Sequence, residues 1–435
     1  MIVSGPQAPP TVLPLRFILF GVVCLIVASL WLLVEPGTIA GPYYRPHTVA
    51  LAHVVVLGFA LSVCIGAMYQ LIPVALEVPL FSSRMATLHT AFHILGVSAM
   101  VPAFLAWEMR GVATGGALVL VGVIMFAANM AATLRRVPRF NIVAAFVATT
   151  LLWMLATIGL GMTMALGKLV PLLPGDPMAW LHAHAHLGIL GIFVNLIVGI
   201  SLKLVPMFTL VEWHEGKRAR WIFGLINGGL PLLVLSITAR WDAGMALAIA
   251  AIVAGIFLHI TELVAILRIR RRRELDWGLL TFLGGVAMLI PTCVLGVAAD
   301  RLGAGPLGPQ IQIAYTFAAL FGVVVPSIAG MLYKILPFLV WHKVYGPRVG
   351  RERVPIFGDM ISPIVQSAAA TLLFVGFLLL IAGIMAAEKA HVIGGAAVWI
   401  CGMFCFAINV GMVMRHWFGR APTTRQNPTR GVPYD

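Results

Sequence analysis

A pattern of five residues occurs three times along this chain at nearly constant separation, which confines the fold to an architecture built from copies of one unit. Counted back from a proline, the copies are His53, Gly58, Gly66, Leu71 and Pro73; His186, Gly191, Gly199, Leu204 and Pro206; and Phe317, Gly322, Gly330, Ile335 and Pro337. The anchors His53, His186 and Phe317 stand 133 and then 131 residues apart. Two of the three copies place a histidine at the anchor and the third a phenylalanine.

What each copy is made of follows from hydropathy. Hydrophobic residues make up 61% of the 435 residues and charged residues only 10%, so the chain must cross a lipid bilayer many times. Twelve stretches are apolar and long enough to span about 30 Å of hydrocarbon, near 14–34, 48–75, 86–107, 111–134, 141–166, 178–206, 220–240, 244–268, 277–300, 309–340, 363–387 and 391–415. The fold class is therefore an all-α polytopic membrane protein. Four spans fall in each repeat unit, about 14–134, 141–268 and 277–415, with a tail at 416–435 that is rich in Pro, Thr, Gly and Arg. An even number of crossings returns the chain to its starting side, so successive units are oriented alike. Rotation about the membrane normal then relates them, giving a pseudo-threefold ring in a single transmembrane domain. Spans two, six and ten are its equivalent inner members, and their glycines admit close approach of a helix or of a flat ligand.

The net charge of +14 reads as orientation rather than as nucleic-acid affinity. Of 29 Lys and Arg, 21 flank the ends that share a side with the N-terminus and six flank the opposite ends. The positive-inside rule puts both termini in the cytoplasm of a bacterial-type plasma membrane, and the run Arg270 to Arg273 fits contact with anionic lipid. Gln70, Lys203 and Lys334, each three residues before its proline, read as inner-end anchors. All five cysteines fall within spans, so no disulfide framework is indicated.

Chemistry is carried by histidine, whose neutral ring is a good ligand for iron or copper and costly in lipid without a partner. His53 and His186 share one repeat position, hence one depth in the outer half, which is what two axial ligands of a single haem require, unless the two only hydrogen-bond across helices. In His182-Ala183-His184-Ala185-His186 the first and last share a helix face while His184 faces elsewhere. His182 or His184 is thus placed to serve a second centre, a haem or copper, unless both are structural; His47 and His391 lie at outer helix ends, to complete such a site or face water. Deeper on the inner side, His89 and His93 sit four apart on span three, and His259 and Glu262 three apart on span eight. These four fit an inner haem or metal, a proton-conducting cluster, or plain hydrogen-bonded packing.

Twelve spans, a histidine early in the second and rotational repetition resemble subunit I of the haem-copper oxidase and nitric oxide reductase superfamily. The segment His184-Ala185-His186-Leu187-Gly188-Ile189-Leu190-Gly191 is similar to the H-x-H-L-x-x-x-G motif of nitric oxide reductases, here on span six instead of ten. The run from His53 through Gly58-Phe59 to Gly66 and Pro73 looks most like NnrS-type membrane proteins, which contain haem and copper and are linked to nitric oxide stress. The resemblance implies haem, guessed as b-type, on His53 and His186, with His184 as a further haem ligand. It also implies copper as a second metal, a small gas such as nitric oxide or oxygen as ligand, and a cytochrome or other electron donor as partner. The chain departs from the family in having no His-His dipeptide, no His-x3-Tyr and no histidine on span seven, with Phe317 at the third anchor. A conventional binuclear centre, and with it a catalytic assignment as an oxidoreductase, is left open. Three functions stand: electron transfer or small-gas redox chemistry on haem, copper or haem transport, and haem-based gas sensing without turnover.

Overall fold

The computed structural model describes residues 9–419; part of the tail, with Arg420, Arg425 and Arg430, lies outside the described residues. Twelve of its helices are long and apolar enough to cross a membrane: α1 (Val12–Val34), α2 (Pro46–Val74), α3 (Ser83–Leu105), α4 (Met109–Leu134), α5 (Ile142–Gly167), α6 (Pro177–Thr209), α7 (Lys217–Ala239), α8 (Asp242–Arg268), α9 (Trp277–Leu302), α10 (Gly308–Val344), α11 (Pro363–Ala386) and α12 (Lys389–Trp417). Each matches one expected span. α9 is interrupted at Met288, just before Pro291, whose ring cannot fit against the carbonyl of Ala287 and which has no N–H to continue the ladder.

Three helices form the interior. The most apolar stretches of α2, α6 and α10 are 72%, 72% and 83% buried, against 28–50% for the other nine, so the repeat-bearing helices are the inward ones. All three share a feature absent from the sequence reading. Directly after the anchor residue each widens from α to π geometry, over Val54–Leu61, Leu187–Val194 and Ala318–Val324. A π turn shifts hydrogen bonding to i→i+5 and re-aims the side chains beyond it. The repeat thus specifies a local backbone form as well as a contact face.

The repeat glycines pack helices, as their smallness allows. A Cβ on Gly66 would lie 2.8 Å from the Pro14 carbonyl of α1, one on Gly199 2.3 Å from Phe146 of α5, and one on Gly330 2.5 Å from the Phe282 amide of α9. In every unit, therefore, the second repeat glycine seats the inner helix on the first helix of that unit. Gly58 and Gly191 meet Cys24 and Trp153 of the same first helices, whereas Gly322 meets Phe377 of α11. The outer turns α3–α4, α7–α8 and α11–α12 all pass through a left-handed residue, Trp107, Arg240 and Ala387. Polar ties recur too: Asn129 accepts from the Ser82 amide at 3.0 Å, and Asn409 from the Ser362 amide at 2.9 Å. The ring closes where the Trp399 indole of α12 donates to Ser29 of α1 at 3.0 Å.

Because the atom facing Gly330 is backbone, it cannot move aside alone. Gly330→Ala should cost about 1–3 kcal/mol through overpacking, whereas Gly224→Ala, whose Cβ meets nothing within 4 Å, should cost nothing. Thermal melts of both variants in detergent will show a drop for the first only.

Candidate functional site

Beyond His47 at the start of α2, four imidazoles, His53, His182, His184 and His186, stand in the N-terminal halves of α2 and α6. Three of them make the same kind of bond to main chain. His53 Nδ1 lies 2.7 Å from the Val49 carbonyl, His186 Nδ1 2.7 Å from the His182 carbonyl and His184 Nδ1 3.0 Å from the Thr157 carbonyl of α5. A carbonyl oxygen only accepts, so each Nδ1 carries the proton and each Nε2 carries the lone pair. That is the tautomer in which an imidazole ligates through Nε2. The first two bonds are equivalent under the repeat, each reaching back four residues.

The Nε2 atoms have different surroundings. The rings of His53 and His184 run nearly parallel, 19° apart with centres separated by 6.4 Å, while Phe104 of α3 packs on His53 at 4.4 Å. His186 instead faces α10, where the Tyr315 hydroxyl donates to its Nε2 at 3.2 Å. His182 pairs with Tyr43 at 3.3 Å between Nε2 and hydroxyl. The structure thus brings His184 beside His53, and no ring contact joins His53 to His186 among the described residues. His53, His184, His186 and Tyr315 all lie deep in the bundle yet keep part of their surface accessible.

Five contributors are not singled out by sequence: Tyr43, Phe104, Thr157, Gly161 and Tyr315. Only Tyr315 leaves a trace there, since it stands two residues before its anchor, in the column His184 occupies in the second copy. Gly161 gives no local signal. A Cβ there would lie 2.8 Å from His184 Cε1, so the ring rests on bare backbone one turn from the carbonyl that holds it.

At the outer mouth, Asp176 caps α6 through the Met178 amide at 2.9 Å and pairs with Arg240 at 3.2 Å. The Met178 hydrogen bond, helped by Arg240, holds its carboxyl below the ordinary range. Burial, together with the Asp176 charge, pushes the Tyr43 phenol up. His391 pairs with exposed Glu388 at 3.0 Å, and His47 stands edge-on to Trp31.

The inner group does not assemble as one site. His89 and His93 are fully buried with ring centres 5.8 Å apart, His89 bonding the Tyr69 hydroxyl at 2.9 Å and His93 bonding Ser62 at 2.8 Å. His259 stands apart from them, its Nε2 3.3 Å from Ser201. Each keeps one ring nitrogen with no protein partner: Nε2 of His89 and Nδ1 of His93 and His259. Glu262 is not joined to His259; it accepts from Trp213 at 2.7 Å and from Arg218 at 2.9 Å. Among the described residues no three His, Cys, Asp or Glu side chains converge as a metal-binding group. All five cysteines are free.

Of the three residues before the repeat prolines, Lys203 is exposed, as an anchor would be, and Gln70 is buried. Lys334 is bonded to Asp276 at the start of α9 and lies 5.1 Å over the Phe208 ring. No family model matches the chain, and no curated protein matches it.

Burial alone would raise the Asp276 carboxyl, but Lys334, the Leu279 amide and Arg272 together hold it below its ordinary value. The group therefore contributes stability in full above its unfolded value of about 4, and that contribution is lost as pH falls through the lower folded value. Lys334→Met should cost about 1.5–3 kcal/mol and move the midpoint of acid unfolding to higher pH, a shift that tryptophan fluorescence during acid titration will read.

Proposed function

We propose that this protein is a multi-pass haem protein of the plasma membrane, related to the haem-copper oxidase and nitric oxide reductase superfamily through its NnrS-like branch. Its work on this reading is electron transfer or redox chemistry on a small gas such as nitric oxide. One observation carries it: His53 and His184, on two inner helices, hold their rings nearly parallel with centres 6.4 Å apart, each with Nδ1–H fixed on a main-chain carbonyl and the lone pair left on Nε2. Donors that come in twos suit haem, because the porphyrin supplies the other four nitrogens and the protein only the axial pair. A copper site built from protein alone commonly takes three or more donors, and no such triple converges among the described residues.

His53 of α2 and a histidine of α6 would hold the iron. When bound, the haem would supply a one-electron redox centre. The chain's own part is orientation and enclosure. The carbonyls of Val49 and Thr157 fix the rings of His53 and His184 in the ligating tautomer, Phe104 packs against the His53 ring, and the surrounding apolar helices keep the site largely dry. The charge asymmetry supports cytoplasmic termini, so the paired rings lie nearer the outer face and an electron donor would approach from there.

The test is a pyridine haemochrome assay on protein purified after haem-supplemented expression. It should give b-type haem in simple ratio to protein, with bands that change on dithionite reduction. His53→Ala should abolish the six-coordinate low-spin bands of that haem while leaving the purified protein folded. A colourless wild-type protein would refute the assignment.

A further inference from the structure

We infer that His184, not the repeat-equivalent His186, is the partner of His53 in binding one iron, and that Gly161 and Tyr315 enforce this choice. The inference rests on the haem reading above. Sequence symmetry favours His53 with His186, since both are anchors. The three-dimensional arrangement breaks that symmetry at two places.

The first is the ring pair itself. Two imidazoles on opposite sides of one metal ion, each about 2 Å from it through Nε2, have ring centres roughly 6 Å apart. The rings of His53 and His184 have centres 6.4 Å apart and planes within 19° of parallel. Both donate Nδ1–H to a carbonyl, of Val49 and Thr157, and neither Nε2 has a hydrogen-bond partner among the described residues. His184 reaches this place because Gly161 offers no side chain, its Cβ position lying 2.8 Å from Cε1 of the ring. α5 therefore both seats the ring and fixes its proton.

The second is the fate of His186. Its Nε2 lone pair already accepts from Tyr315 at 3.2 Å, and the two ring centres are 5.9 Å apart. Ligation by His186 would break that bond and leave an enclosed phenol without its acceptor, at a cost that His184 does not incur. Tyr315 occupies the column of His184 in the third repeat. The copy that lost its histidine at the anchor thus supplies, two residues earlier, the group that occupies the histidine of the second copy.

Electron paramagnetic resonance and optical spectra of the haem-loaded protein separate the two pairings. Wild type, His186→Ala and Tyr315→Phe should all show six-coordinate low-spin haem. His184→Ala should convert it to high-spin, and added imidazole should restore the low-spin signal, a rescue that a merely structural histidine would not give. Gly161→Val, which displaces the ring without removing it, should show the same loss of low-spin signal. Low-spin haem in His184→Ala, together with imidazole-rescued high-spin haem in His186→Ala, would overturn the inference while leaving the haem reading intact. A wild-type protein that takes up no haem would overturn both.

Discussion

A polar atom inside a bilayer has no water to bond, so it must find a partner within the protein or bear the cost of having none. That constraint shapes this molecule from backbone to site. It forces the spans to be helical, and it makes every exception to the α ladder local. Where the inner helices widen into π geometry, the altered bonding is met from inside, as when Ser62 donates to the Leu57 carbonyl at 3.0 Å within the α2 segment. His53, His184 and His186 obey the same rule, since each meets its Nδ1–H with a carbonyl close by in the fold. What remains, a row of Nε2 lone pairs, is a by-product of satisfying the other nitrogen.

Repetition and asymmetry divide the labour. The three units share what packing requires: glycines at helix crossings, left-handed outer turns and an inner helix that widens after its anchor. They differ in the polar residues set on that frame. The first unit carries His53 and the His89–His93 pair, the second His182, His184, His186 and His259, and the third Tyr315. A frame held by small residues and backbone tolerates such variation, because the polar groups sit at positions the frame does not need for its own packing. The two levels in the membrane also differ in kind. His53, His182, His184 and His186 keep part of their surface accessible, whereas His89, His93 and His259 are sealed, each with one nitrogen that no protein group meets.

Several inferences from spacing were sound because the physics behind them is one-dimensional. Helix length and hydropathy place the twelve spans. The column of glycines identifies α2, α6 and α10 as inward, since only small residues allow such approach. Other inferences needed contacts that spacing does not encode. Glu262 shares a helix face with His259 yet turns to Trp213 and Arg218, because the loop leading into α7 places an indole and a guanidinium within reach. Lys334 looks like a headgroup anchor but meets Asp276, which caps the preceding span α9, 58 residues earlier in the chain. The standing of His184 against His53 depends on Gly161, a residue with no neighbouring motif.

By itself the sequence determined an all-helical membrane protein of twelve spans in three like-oriented units, with histidines at one depth on two inner helices. It did so because hydrophobicity and helix periodicity act along the chain and need no knowledge of neighbours. Only the tertiary structure decided which imidazole stands beside which, where the protons of the rings lie and that a phenol from the third unit reaches His186. Those outcomes depend on rotations of whole helices and on carbonyls contributed by distant segments. A shift of a few degrees about a helix axis exchanges one ring for another, and no linear pattern fixes an angle that packing sets.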